Sequence, residues 1–346
     1  MGGARERTEV AAPSGQGMQE LWFDDGNIVL RAGSSLYRVY RGTLTSRSSV
    51  FQAMLSLAPP PNSELVEGCP LVELTDPEVE VTPFLRAIFE PEFFLPSPAP
   101  TDLDTVLGCL RLAHKYKVDY LRRRALVHFS SGYPTTLSEF DQIARYQPPD
   151  GPSVLEKWTW RPLSPITCVR AIQVAREVDA PWILPRAFYT LSLNLNRLGM
   201  TIFTGDLYKG MDTRLSVQDQ TSFLKGYNLQ CQSTVVDVLA FLSRPLDIQG
   251  CKHPWLCSRA RLTAIPHISD RDLACGFLPN PLYIWQCADW DKLLSPLCPV
   301  CKTVLKETHQ NARQALWNRL PEIYDVAAWD VLEQLKAAAF NPSTPG

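Results

Sequence analysis

The chain has 346 residues, 45% of them hydrophobic, and 34 Lys and Arg against 36 Asp and Glu give a net charge of −2. That length suffices for two or three domains, each with its own core, and the charge balance lacks the basic excess that a nucleic-acid partner requires. No apolar run approaches the roughly 18 residues of a spanning helix, so no membrane segment is expected.

Residues 1–19 mix charges with Gly, Ser and Pro, contain no apolar segment of signal-peptide length, and read as a disordered tail. From residue 20 the pattern changes. Leu21 to Gly33 carries two hydrophobic stretches around Asp24-Asp25-Gly26-Asn27, and Ile28, Val29 and Leu30 have strand-type side chains. Leu36, Tyr37, Val39 and Tyr40 make a second strand, paired with the first as a hairpin across Ala32 to Ser35. Then Leu44, Val50, Phe51, Met54 and Leu55 follow helical spacing, with Ser48 placed to cap a helix. Pro70 to Glu78 supplies a short strand, and Pro83 to Phe89 a helix that ends before the proline-rich stretch PEFFLPSPAP. Leu103, Val106, Leu107 and Leu110 recur at i, i+3, i+4 and i+7, an amphipathic helix with Thr101 and Asp104 as a loose capping box; a second helix spans Tyr120 to Phe129.

Gln147 to Pro165 is dense in Pro and Gly and reads as a connection. Residues 132–245 are expected to be mainly helical, interrupted at Pro181 and Pro185. Residues 246–346 hold six of the ten cysteines and end in two Trp- and Leu-rich helices split at Pro321. Cysteines so thinly spread, without secretory context, point to reduced thiols or a metal site and to the cytoplasm or nucleus.

LYRVYRGTLTSRSSVFQAML, then VELTDP, then LGCLRLAHKYKVDYLRRRAL resemble, in order and spacing, a BTB/POZ domain over residues 20–131. The remainder is similar to the C-terminal part of an expanded fungal group of such proteins, with AREVDAPWILPRAFY where a BACK-like helical extension would stand. The resemblance implies an α+β fold, a small sheet with flanking helices followed by a helical extension, and a role in self-association or partner docking. Its hairpin and first helix would supply the self-association surface, with Leu21, Trp22, Phe23 and Met54 as candidates; the other reading of these four is the domain's own core. Two departures bear on partners. Tyr40 stands where the family usually has His, and Asn27 where many members have a buried Asp, although Arg41 keeps the basic position, so the charged pocket of corepressor-recruiting members is not implied. Members that serve cullin ubiquitin ligases carry a hydrophobic-x-Glu element after the Phe51 helix, where this chain has SLAPPPNSEL.

The sharpest chemical motif is CPVC, Cys298 to Cys301. Two thiolates two residues apart can share a tetrahedral zinc, and CKHPWLC offers Cys251 and Cys257 as the other ligands, with His253 as a substitute. The competing readings are reduced cysteines packed as small hydrophobes, and a redox dithiol, for which the βαβ setting is missing. Arg122, Arg123 and Arg124 fan around a helix and read as a solvated face, and His114 as a packed or surface residue. GxSxG, GxGxxG and GxxxxGK[ST] do not occur, so catalysis by a nucleophile elbow or on a nucleotide has no seat. The sequence thus predicts a non-enzymatic interaction protein or scaffold, with adaptor of a cullin ligase as the first alternative and a metal-dependent or thiol enzyme as the second.

Overall fold

The computed structural model describes residues 9–10, 21–57, 64–145, 165–193, 201–275, 280–282, 285 and 287–341. They form a mixed α and β structure, mainly helical, divided into two compact units: residues 1–132 with two short later segments, and residue 133 to the end apart from those segments. The residues read as a helical region and those read as a Cys-containing region therefore share the second unit.

The first unit is built on a small sheet. Strands β2 (Ile28–Ala32) and β3 (Ser35–Val39) pair antiparallel as the expected hairpin, and β5 (Cys69–Leu74) lies parallel to β2 on its other side. Beyond β5 run β4 (Leu65–Val66) and β1 (Glu9–Val10), so a two-residue piece of the expected tail is paired; the other tail residues lie outside the described residues. Between β3 and β4 come α1 (Arg41–Arg47) and α2 (Ser49–Ser56). The α2 cap is the one the sequence marks: Ser48 Oγ accepts from the Phe51 N–H at 2.9 Å and donates to the Tyr116 carbonyl at 2.5 Å.

Helices α3 (Glu78–Phe89), α4 (Leu103–Lys115) and α5 (Asp119–Ser131) complete the unit. Two expectations need correction. Helix α3 starts at Glu78, not Pro83: Pro77 stands in its N-cap position in an extended conformation, and Glu78 and Glu80 favour the positive end of the helix; Pro83 is carried inside it. The cap of α4 is Asp102, which accepts from the Thr105 N–H at 2.9 Å and the Thr105 hydroxyl at 2.6 Å, in place of the Thr101 and Asp104 pair. The core is fully apolar at Val29, Leu30, Leu44, Phe51, Phe84, Val106 and Leu110, and the Phe51 and Tyr116 rings stack 4.5 Å apart.

In the second unit, α6 (Leu137–Arg145) is followed by α7 (Pro165–Glu177), a 3-10 turn opened by Pro181, and α8 (Leu184–Ser192) with Pro185 in its first turn, where a missing N–H costs nothing. The connection expected at 147–165 lies outside the described residues apart from Pro165. Helix α9 (Val217–Ser233) runs into a π turn at Thr234–Val238, and then come α10 (Pro254–Cys275), α11 (Pro299–Ile323) and α12 (Trp329–Phe340). Pro321 does not split two helices. It sits in the last turns of α11, and the Trp317 carbonyl, to which it cannot donate, accepts instead from the indole N–H of Trp329 at 2.7 Å. The two indoles stack at 5.7 Å, so the proline is accommodated by a side chain from the next helix.

A buried neutral network ties α8, α9 and the end of α11. Tyr324 donates to Gln230 Oε1 at 2.6 Å, Gln230 donates to Ser192 Oγ at 2.6 Å, and Ser192 donates to the Tyr189 carbonyl at 2.7 Å. The tyrosine ring reaches Gln230 only because residue 226 is glycine: a Cβ there would lie 2.2 Å from ring carbons of Tyr324.

Candidate metal centre

Two short sequence features aim four sulfurs at one point. Gly250, with φ of +78°, turns the chain so that Cys251 stands ahead of α10, and its N–H donates to the Ile248 carbonyl at 3.1 Å. Pro254 begins α10, which places Cys257 in its first turn. In the same way Cys298 caps α11, Pro299 opens the helix, and Cys301 follows one turn in. The two helices thus present their N-terminal ends to the same cluster.

The ligand atoms of Cys251, Cys257, Cys298 and Cys301 all lie within 4.8 Å of one another, and all four are free thiols. Cys257, Cys298 and Cys301 are buried and Cys251 half-buried. The Cys298 and Cys251 sulfurs are 3.9 Å apart, close to the edge of about 3.8 Å that follows for a tetrahedron with zinc–sulfur bonds of about 2.3 Å. Four sulfur donors, two from each short motif, are the set that suits a tetrahedral, closed zinc site. His253, the substitute ligand, is exposed and stands outside this group; its carbonyl accepts from the Cys257 N–H at 3.0 Å, a helical bond.

The electrostatics favour anionic sulfur at Cys298. The backbone N–H of Cys301, at the positive end of α11, and that of Lys252 donate to it and hold its pKa down to about 6. Burial pushes the Cys257 and Cys301 thiols up, so a metal held there would have to displace their protons into solvent. The Cys298 N–H also points at the Cys257 sulfur, 3.4 Å away.

Beside the sulfurs lies a residue that motif reading misses. Arg261 is four residues after Cys257 on the same face of α10, only 5% exposed, and lines with Cys251, Cys257 and Cys301 a cavity of about 50 Å³. The signal was present in the sequence as a Cys-x3-Arg spacing, which carries meaning only once Cys257 is known to begin a helix. Further along α11, His309 is buried against Phe241 and Trp290, and burial holds its pKa down to about 4, so it is a neutral packed ring.

The candidate contact residues of the first unit fall in different places. Leu21 is 3% exposed and belongs to the core, so it is not available to a partner. Trp22 is half-buried and packs on the cluster of Val29, Leu36, Val66 and Cys69. Phe23, also half-buried, lies 4.9 Å from the Tyr40 ring and 5.8 Å from Phe89. Met54 is half-buried on α2, and Leu57 just beyond it is 75% exposed. The Tyr40 hydroxyl donates to Asp25 at 2.6 Å and Asn27 Oδ1 accepts from the Arg41 N–H at 2.8 Å; both departures from the family pattern serve local hydrogen bonds. Arg122 donates to His114 Nδ1 and Arg124 to the Phe94 carbonyl, while Arg123 is exposed, so the three arginines form no common patch. Among the described residues no helix is long and apolar enough to cross a membrane. Comparison with family models, with curated proteins and with solved structures finds no match to this chain.

Proposed function

We propose that this is a non-enzymatic interaction protein whose second unit is stapled by a zinc ion on Cys251, Cys257, Cys298 and Cys301, and whose first unit is a BTB/POZ-like docking unit. The observation that carries the reading is the sulfur set: four thiols converge, and among the described residues no histidine or carboxylate joins them in the cluster. A catalytic zinc keeps an open position for water or substrate, whereas four protein ligands fill the tetrahedron and leave the metal a structural role. Zinc there would fix the starts of α10 and α11 to each other and supply folding energy.

Support for the docking role comes from the first unit's order of elements: a hairpin, two short helices, a third strand parallel to the first, and three helices, the arrangement of small sheet and flanking helices that the resemblance implies. Further support comes from exposed apolar side chains of the kind that anchor interfaces. Leu57 stands at the end of α2, and Trp255 is 71% exposed on the first turn of α10. The cullin-adaptor alternative turns on SLAPPPNSEL, of which residues 58–63 lie outside the described residues, and its Glu64 is taken up by Arg31 at 3.0 Å.

Metal analysis of protein purified without chelator tests the staple: one zinc per chain is expected, and protein free of metal would refute it. Light scattering over a range of concentrations tests self-association, with Leu57→Asp as the control. A dimer that Leu57→Asp dissociates is the expected result, and a single-chain mass at every concentration would leave docking to other proteins only.

A further inference from the structure

The search for groups with unmet chemistry leads back to Arg261. Its Nη2 donates to the Arg244 carbonyl at 3.0 Å, but its Nη1 is buried and has no hydrogen-bond partner among the described residues. A guanidinium taken out of water without a carboxylate is costly, and chains retain one only where another anion offsets the cost. No ion pair of Arg261 with an acid occurs among the described residues. Asp247, which lines the same cavity, is exposed at its rim. The other polar side chains that line this cavity with it are those of Cys251, Cys257 and Cys301 and the exposed Ser258.

We infer that Arg261 is the counter-charge of the sulfur centre: it holds its unpaired Nη1 toward the sulfurs and favours the metal-loaded state. The inference rests on the zinc reading and deepens it. Zinc with four thiolates has a formal charge of −2, and a buried anion of that charge needs compensation. Two helix N-termini contribute partial positive charge through backbone N–H groups, and Arg261 contributes a full one from the side where the cavity lies.

A counter-charge makes a prediction that a packing role does not. With zinc bound, losing the charge weakens the centre; with zinc removed, the four-thiolate anion it offsets is gone and losing an unpaired buried cation relieves the fold. The test uses full-length protein with Arg261→Met, which keeps length without charge, and Arg261→Lys, which keeps charge. Zinc retention is read by titration with a competing chelator, and the stability of the metal-free proteins by urea. The expected result is a zinc affinity lower by about 10-fold or more in Arg261→Met, the usual size of an outer-sphere loss, largely restored in Arg261→Lys, with metal-free Arg261→Met no less stable than the parent. Equal zinc affinity in Arg261→Met and parent would overturn the inference and leave the staple standing. A parent that binds no zinc would overturn the staple itself. Should Arg261→Met not fold, Arg261→Gln beside Arg261→Lys supplies the same comparison of neutral and charged side chains.

Discussion

In the first unit the buried acids meet bases of the same unit: Asp76, 4% exposed, accepts from Lys115 at 2.7 Å and from the Tyr116 hydroxyl at 2.6 Å, and Glu80 pairs with Arg111. In the second unit the buried polar groups are of two kinds. Some are closed, as in the chain from Tyr324 through Gln230 to Ser192, and some are open, since buried atoms of Arg261, Trp285 and His309 have no hydrogen-bond partner among the described residues. Open groups in a buried place call for an explanation. The contrast teaches that the first unit answers its buried charges with its own side chains, whereas the second keeps a buried cation beside four clustered thiols with one nitrogen unanswered among the described residues.

Metal removal breaks that contrast most sharply. A structural zinc contributes on the order of 10 kcal/mol to the fold that holds it. Treatment with a strong chelator is expected to abolish hydrogen-exchange protection in the first turns of α10 and α11 while the amides of β2, β3, β5 and α4 keep theirs. Equal loss in both units, or loss in neither, would show that the two are not stabilised in the different ways argued here.

The closed network of the second unit offers the next largest effect. Gly226→Ala places a methyl against the Tyr324 ring, which is fixed by its bond to Gln230, so the ring or the backbone of α9 must shift. Overpacking of this kind costs about 3 kcal/mol, and urea unfolding should show it with metal bound. Gly226→Ala combined with Tyr324→Phe shares the same clash and should recover little, whereas Tyr324→Leu, which removes the ring, should recover most of it. A cost of under about 1 kcal/mol for Gly226→Ala would mean that α9 and the end of α11 adapt, and that this part of the second unit is not tightly specified.

How much of this was legible in the sequence differs along the same line. The hairpin was, because Ile28 to Leu30 and Leu36 to Val39 are short runs of strand-type side chains on either side of a tight turn, and so was the amphipathic α4. The pairing of Cys251 and Cys257 with Cys298 and Cys301 was legible as two short motifs, since each needs only a local turn to bring its sulfurs together. What escaped depends on neighbours remote in sequence. Leu21 stood open between a contact surface and the domain's own core, and only the assembled unit, which buries it, decides between the two. Pro321 looked like a helix break because the indole of Trp329 that relieves it comes from the next helix. Pro83 stood as a helix start, and the helix carries it inside instead, beginning five residues earlier at Glu78. Arg261 carries no motif at all, and its meaning comes from a cavity that the sequence does not display.

The smallest effect lies in the first unit and sharpens the comparison from its other side. Ser48 is 2% exposed and serves two partners, as cap acceptor for Phe51 N–H and as donor to the Tyr116 carbonyl 68 residues away. Ser48→Ala removes a cap worth about 1 kcal/mol and leaves a buried carbonyl without that donor, for a total of roughly 2 kcal/mol. Because the loss is local to α2 and the α4 end, it should appear in urea unfolding with unchanged size whether zinc is bound or removed. A Ser48→Ala cost that changes with metal would mean that the two units unfold together, and the staple would then have to be assigned to the whole chain and not to the second unit alone.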